Sequence, residues 1–181
     1  MPQSSKVTMS ELSAFYETGG VAGVRQRYPH QSGFLIALPD DKKSPLVWTP
    51  QDTQLVMTQV AVQEAAGISR FASTISVVIP LEKSGRNNAG GILVGREDSC
   101  DIRFASLQIS KVHAEILQDD RGYIVVDCGS SNGTYLNSFK LPPYHQHRLE
   151  VGSELHFCNL GTMFVDFDHL ITLLDISLAA L

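Results

Sequence analysis

The chain has 181 residues, enough for one domain with an appendage and too few for two full-sized domains. Leu, Ile, Val and Phe make up 53 of them and charged residues 18%, a composition that excludes wholesale disorder. Net charge is −5, divided into +1 over residues 1–90 and −6 over 91–181; without a Lys/Arg run, a nucleic-acid or anionic-membrane surface is disfavoured.

Met1 to Ser10 is polar and lacks the apolar core of a signal peptide. Thr8-Met9-Ser10-Glu11 reads as a capping box that starts a short helix carrying Leu12, Phe15 and Tyr16, ended by Gly19-Gly20. A second helical piece, 21–28, stops before Pro29. Phe34–Leu38 is a compact apolar run between Gly33 and Pro39 and predicts a buried strand. Residues 39–50, with three prolines and paired aspartates, read as loop, and 52–66 lean to a helix ended by Gly67.

From Thr74 the texture changes to short apolar runs divided by turn residues. The runs are 75–81, 91–94, 112–117, 123–126, 134–136, 139–141, 154–157 and 162–167. Such spacing predicts a β-sandwich or barrel. Near the C-terminus the period becomes helical: Leu170, Leu174, Leu178 and Leu181 share one face, with Asp168 near the start to complement the dipole. No stretch of 18 apolar residues occurs, so no spanning helix is expected. The cysteines, Cys100, Cys128 and Cys158, are odd in number and widely spaced, which predicts free thiols in a reducing compartment.

Four loop features follow in order: Gly95-Arg96, Ser110-Lys111-Val112-His113, Ser130-Ser131-Asn132-Gly133-Thr134, and Asn137. Loops at one end of a sandwich converge, so these can build one site. They offer a guanidinium, an ammonium, hydroxyls and amides, a donor set suited to an oxyanion. Each piece also has a plain structural reading. Gly95 can be a tight turn, His113 a satisfied strand histidine, Lys111 a solvated cation, and Arg96 an ion-pair partner of Glu97 or Asp98.

Taken in order, these blocks resemble the forkhead-associated (FHA) domain over about residues 74–167. The phrases Val94-Gly95-Arg96, Ile109-Ser110-Lys111-Val112-His113-Ala114 and Asp127-Cys128-Gly129-Ser130-Ser131-Asn132-Gly133-Thr134 carry the likeness. The resemblance implies an eleven-stranded β-sandwich over residues 72–168, with residues 1–71 as a small α/β extension and 169–181 as a C-terminal helix. It implies phosphothreonine-peptide binding, with Arg96 and Ser110 on the phosphate, Lys111 and Ser131 beside it, and Asn132 on the peptide main chain. Gly95, His113, Gly133, Thr134 and Asn137 would support the loops.

The expected protein is a non-enzymatic cytoplasmic adaptor, similar to small stand-alone bacterial members of the family. It would have no metal or cofactor and would bind a protein phosphorylated by a Ser/Thr kinase. The acidic half would then carry a local positive spot, and a shallow salt dependence of association is expected.

Three competing readings come from the same residues. A phospho-independent scaffold would use the sandwich for other contacts. Gly129-Ser130-Ser131-Asn132-Gly133 formally matches the nucleophile elbow of serine hydrolases, with His113 and Asp127 as partners, but a β-like run follows where that motif needs a helix. His145-Gln146-His147 and His156-Phe157-Cys158 could pair as zinc ligands, although the first looks like loop after Pro142-Pro143.

Overall fold

The computed structural model of the chain describes residues 7–37 and 77–179. The loop expected over 39–50 and the helix over 52–66 lie outside the described residues. The first element is a two-residue strand, β1 (Val7–Thr8), leading straight into α1 (Met9–Arg27). Thr8 is the N-cap: its hydroxyl accepts from the Glu11 N–H at 3.1 Å, and the Glu11 carboxylate accepts from the Thr8 N–H at 2.9 Å. The expected break appears as a kink at Gly20, where φ is 57° and the helix would otherwise run through. Tyr28, before Pro29, ends it.

The remaining strands are β2 (Gly33–Ala37), β3 (Val77–Pro80), β4 (Ile92–Gly95), β5 (Ile102–Arg103), β6 (Ala114–Asp119), β7 (Gly122–Asp127), β8 (Thr134–Leu136), β9 (Phe139–Lys140), β10 (Gln146–Leu149), β11 (Glu154–Phe157) and β12 (Leu160–Asp166), before α2 (Phe167–Ala179). They form two sheets, ordered β1-β3-β2-β12-β11-β8-β9 and β10-β7-β6-β4-β5. Pairing is antiparallel except for β4 with β5. The mainly β sandwich is therefore as expected, with a helix at each end of the described chain.

Two apolar layers hold it together. Leu35, Ile79, Val94, Ile116, Val125, Leu155, Phe157 and Phe164 belong to the core between the sheets. Phe34, Ile36, Val78, Met163 and Val165 point the other way, onto Met9, Leu12, Val24, Leu170 and Leu174 of the helices. Strands β2, β3 and β12 thus bury both faces, which is why Phe34–Ala37, Val77–Ile79 and Met163–Val165 read as unbroken apolar runs. Strand β6 has one wet face and alternates Ala114, Glu115, Ile116.

Strand β2 lies within residues 1–71, the segment expected from sequence as a small α/β extension. Strand β2, assigned from sequence to an N-terminal extension, pairs with β3 on one side and β12 on the other. A five-residue strand buried on both faces needs neighbours on both edges, and the sandwich supplies them. The C-terminal helix begins two residues earlier than expected, at Phe167. Its buried face is Phe167, Leu170, Leu173, Leu174 and Ser177, while Leu178 is half-buried and Leu181 lies outside the described residues. Tyr16 donates to Asp175 at 2.8 Å, and the Arg25 guanidinium stacks 3.3 Å over the Phe167 ring, joining the two helices. Among the described residues no helix is long and apolar enough to cross a membrane.

Candidate functional site

The site is built where β4 ends. His113 N–H donates to Val94, Arg96 N–H to Ser110 and Glu97 N–H to Lys111, at 2.8, 3.0 and 3.2 Å. The segment after Gly95 is thereby zipped along residues 110–113. A Cβ at Gly95 would collide with the Lys111 carbonyl and come within 2.9 Å of Cys100 Sγ. Only glycine lets the two backbones approach this closely, so the Gly of the Gly-Arg pair is a spacing residue rather than a turn.

Arg96 is half-buried, and its guanidinium has no ion-pair or hydrogen-bond partner among the described residues. The acidic neighbours that could have neutralised it are engaged elsewhere. Glu97 pairs with Lys111 at 3.5 Å, and Asp98 with Arg103 at 3.0 Å. The ion-pair alternative for Arg96 is therefore not realised, while Lys111 does carry one.

The second wall comes from the loop between β7 and β8, and its organiser is Asp127. This carboxylate is buried and accepts five hydrogen bonds. Gly129 N–H and Ser130 N–H reach Oδ1 at 2.9 and 3.0 Å; the Ser130 hydroxyl, Thr134 N–H and Thr134 hydroxyl reach Oδ2 at 2.6, 3.0 and 2.6 Å. Burial alone would raise its pKa, but the hydrogen bonds from Ser130, Thr134 and Gly129 together hold it below the usual carboxylate range. Ser130 Oγ also accepts from Gly133 N–H at 2.9 Å. Gly133, at φ 88°, turns the chain back into β8.

His113 joins the two walls. Its buried ring accepts from Ser110 N–H at Nδ1, 3.1 Å away, so Nε2 carries the proton and donates to the Gly133 carbonyl at 3.2 Å. Burial pushes its pKa down, partly offset by the Gly133 carbonyl and the Asp127 charge. Across the top, Ser110 Oγ accepts from Ser131 N–H at 3.0 Å, and Asn132 Nδ2 donates to the Gln108 carbonyl at 2.7 Å.

The walls enclose an open pocket of about 210 Å³ lined by Arg96, Leu107, Gln108, Ile109, Ser110, Lys111, Ser131 and Asn132. All five residues expected to touch a ligand are brought together there. Gly95, His113, Gly133 and Thr134 lie behind them as supports. Asn137 does not reach the pocket loop. With φ 48° it makes the β8–β9 turn, and its Oδ1 and N–H bond Glu154 of β11 at 2.9 and 2.8 Å.

Sequence reading weighed Asp127 only as a hydrolase acid and missed its role as loop organiser. An Asp at a strand end, two residues before Gly129-Ser130, is an Asx-turn signal that could have shown it. Gln108 left no such trace, because it contributes a main-chain carbonyl.

The hydrolase and zinc readings meet a different geometry. Both His113 ring nitrogens are engaged by backbone groups, and Asp127 serves Gly129, Ser130 and Thr134 rather than His113. No relay reaches Ser131. Strands β10 and β11, which carry His147 and His156, belong to different sheets, and among the described residues no three His, Cys, Asp or Glu side chains meet as a metal site. The three cysteines are free; burial raises the Cys100 thiol and pushes that of Cys128 up to about 11.

The chain is 43% identical over 53 residues to Protein FraH of Nostoc sp., covering 29% of this chain and 18% of that protein. It is 33% identical over 72 residues to the oxoglutarate dehydrogenase inhibitor of Corynebacterium diphtheriae, covering 40% of this chain and 48% of that protein. The chain thus spans less than half the length of these curated relatives. Among solved structures it is similar to the FHA domain of the CT664 protein from Chlamydia trachomatis, at 19% identity and TM-score 0.44, covering 75% of this chain and 98% of that one. It is also similar to the N-terminal FHA domain of S. cerevisiae RAD53P in complex with a phosphothreonine peptide, at 21% identity and TM-score 0.42, covering 52% of this chain and 88% of that one. Residues 92–158 match the family model of the FHA domain, a segment that contains every residue lining the pocket. Over residues 92–158, then, the chain is similar to the FHA domain.

Proposed function

We propose that this FHA domain is a phosphothreonine-dependent protein-binding module, a non-enzymatic adaptor that acts in the cytoplasm downstream of a Ser/Thr protein kinase. The observation that carries the reading is the half-buried Arg96 guanidinium, without a partner among the described residues, in a pocket with Ser110, Ser131 and Lys111. A phosphothreonine brings a charge of about −1.5 to −2 and three acceptor oxygens, and a planar guanidinium binds such a group through paired hydrogen bonds. An unmodified threonine offers no matching charge, so binding follows phosphorylation.

The two serine hydroxyls add donors without bulk. Lys111 contributes less, because Glu97 competes for it. Asn132 spends one N–H on Gln108 and keeps its carbonyl and second N–H for a peptide main chain. Gly95, His113, Gly133 and Thr134 hold these groups in place, and Asn137 braces the hairpin beyond them. The partner is a protein phosphorylated on threonine, and the module needs no cofactor, nucleic acid or membrane.

The test is binding of a phosphothreonine peptide library, with the unphosphorylated peptides and the Arg96→Ala protein as controls. A charge-assisted contact is worth about 1.5–3 kcal/mol, so Arg96→Ala is expected to weaken binding more than about tenfold. Equal binding of phosphorylated and unphosphorylated peptides would refute the proposal and favour a phospho-independent scaffold.

A further inference from the structure

Leu107 is 93% exposed, yet it lines the rim of the pocket. An isolated surface leucine needs no explanation. This one is set apart by how firmly its loop is held. Ser106 to Ile109 form a turn closed by Ile109 N–H to Ser106 C=O at 3.1 Å, with Gln108 N–H bonded to Ser106 Oγ at 3.3 Å. Phe104 and Ile109, 3% and 1% exposed, anchor the two ends of the loop in the core between the sheets. The tip is tied across the pocket by Asn132 on the Gln108 carbonyl, and the Gln108 side chain leans back to Cys158. Leu107 is thus presented to solvent on a loop already ordered, and burying it against a ligand costs little further backbone entropy.

We infer that Leu107 is a specificity-determining residue that selects phosphothreonine peptides carrying an aliphatic side chain near the phosphorylated position. The inference rests on the phosphothreonine reading above and adds the chemical class of the ligand's neighbouring residue. The charges around Arg96 point the same way. Glu97 and Asp98 follow it and pair with Lys111 and Arg103, so among the described residues no free cation beside Arg96 favours an acidic flank over an aliphatic one. Two aliphatic side chains in contact each leave water, which yields an affinity gain of five- to tenfold from one peptide side chain.

The experiment uses an alanine-based phosphothreonine peptide in which each position from three before to four after the phosphothreonine is replaced in turn by Leu, Glu or Lys. Binding is measured for the full chain and for its Leu107→Ser, Leu107→Lys and Arg96→Ala variants, with thermal unfolding to confirm that each is folded. At one position or more, Leu is expected to bind the parent at least fivefold tighter than Ala, and that ratio is expected to fall below twofold in Leu107→Ser. Leu107→Lys should shift the preference at the same position towards Glu. A Leu/Ala ratio below twofold at every position, or one unchanged by both Leu107 variants, overturns the inference. If the binding is still lost in Arg96→Ala, the phosphothreonine reading stands without it. If no peptide binds in a phosphate-dependent manner, the reading falls and takes the inference with it.

Discussion

Asp127 lines no part of the pocket, yet its replacement by Asn should damage both stability and binding. The carboxylate accepts from three backbone N–H groups and two hydroxyls. An amide has one acceptor oxygen. If its nitrogen takes the place of Oδ1, it faces the N–H groups of Gly129 and Ser130. If it takes the place of Oδ2, it faces Thr134 N–H and forces two hydroxyls to reverse. Each buried donor left without an acceptor costs about 1–3 kcal/mol, so Asp127→Asn should lose about 2–4 kcal/mol in urea denaturation, with little change in m-value. The pH dependence supplies an internal check. Because the folded carboxylate titrates below its unfolded value, its contribution is present above about pH 4 and is lost as pH falls through the folded pKa. Asp101 and Asp119, both held at about 2, share this acid limb, so the difference between parent and variant isolates Asp127. Loss of the Ser130 and Thr134 anchors should also loosen Ser131 and Asn132 and weaken phosphopeptide binding several-fold. A variant within about 1 kcal/mol of the parent would show that the loop is held by something other than this carboxylate.

Three further outcomes follow from the same geometry. Gly95→Ala should cost about 1–3 kcal/mol, read as a lowered Tm, because the new methyl meets the backbone carbonyl of Lys111 rather than a side chain that can swing away. His113 is held neutral, with its pKa below the ordinary value, so the unfolded chain gains a proton first as pH falls below about 6.5; stability should drop from there until the folded ring also protonates, and His113→Gln should flatten that segment of the curve. The association rate with a phosphopeptide should fall only shallowly with added salt, because Glu97 and Asp98 offset Lys111 and Arg103 and leave Arg96 acting mainly at short range; a steep fall in stopped-flow rates would contradict this.

The elements legible in the sequence are those whose signal is local. The Thr8–Glu11 box, the break at Gly20 and the alternation of β6 each need only a few neighbouring residues. Strands β5 and β10 were not visible. Ile102–Arg103 is two residues long, held by parallel pairing to β4. Gln146–Leu149 shows no apolar alternation, because it is the outer strand of its sheet with only Leu149 fully buried, and its pairing with β7 overrides its composition. The membership of β2 in the sandwich was hidden for a different reason. An apolar run shows that a strand is buried on both faces but not which strands lie beside it.

The site divides along the same line. The five residues proposed to touch a ligand, Arg96, Ser110, Lys111, Ser131 and Asn132, would act through side chains, and their order along the chain follows a known pattern, which makes all five legible in the sequence. What holds them acts mainly through backbone. The Lys111 carbonyl forbids a side chain at Gly95, the Gly133 carbonyl fixes the tautomer of His113, and the Gln108 carbonyl parks Asn132. Carbonyls are the same in every residue, so no composition records them. The electrostatics follow suit. A net charge of −6 over the second half argued against an anionic ligand, but a sum over half the chain does not say where its charges lie, and at the pocket Glu97 and Asp98 are each spent on a neighbouring cation. The pocket's sign is set by Arg96, the charge left over there among the described residues, and which charge is left over is a property of the fold.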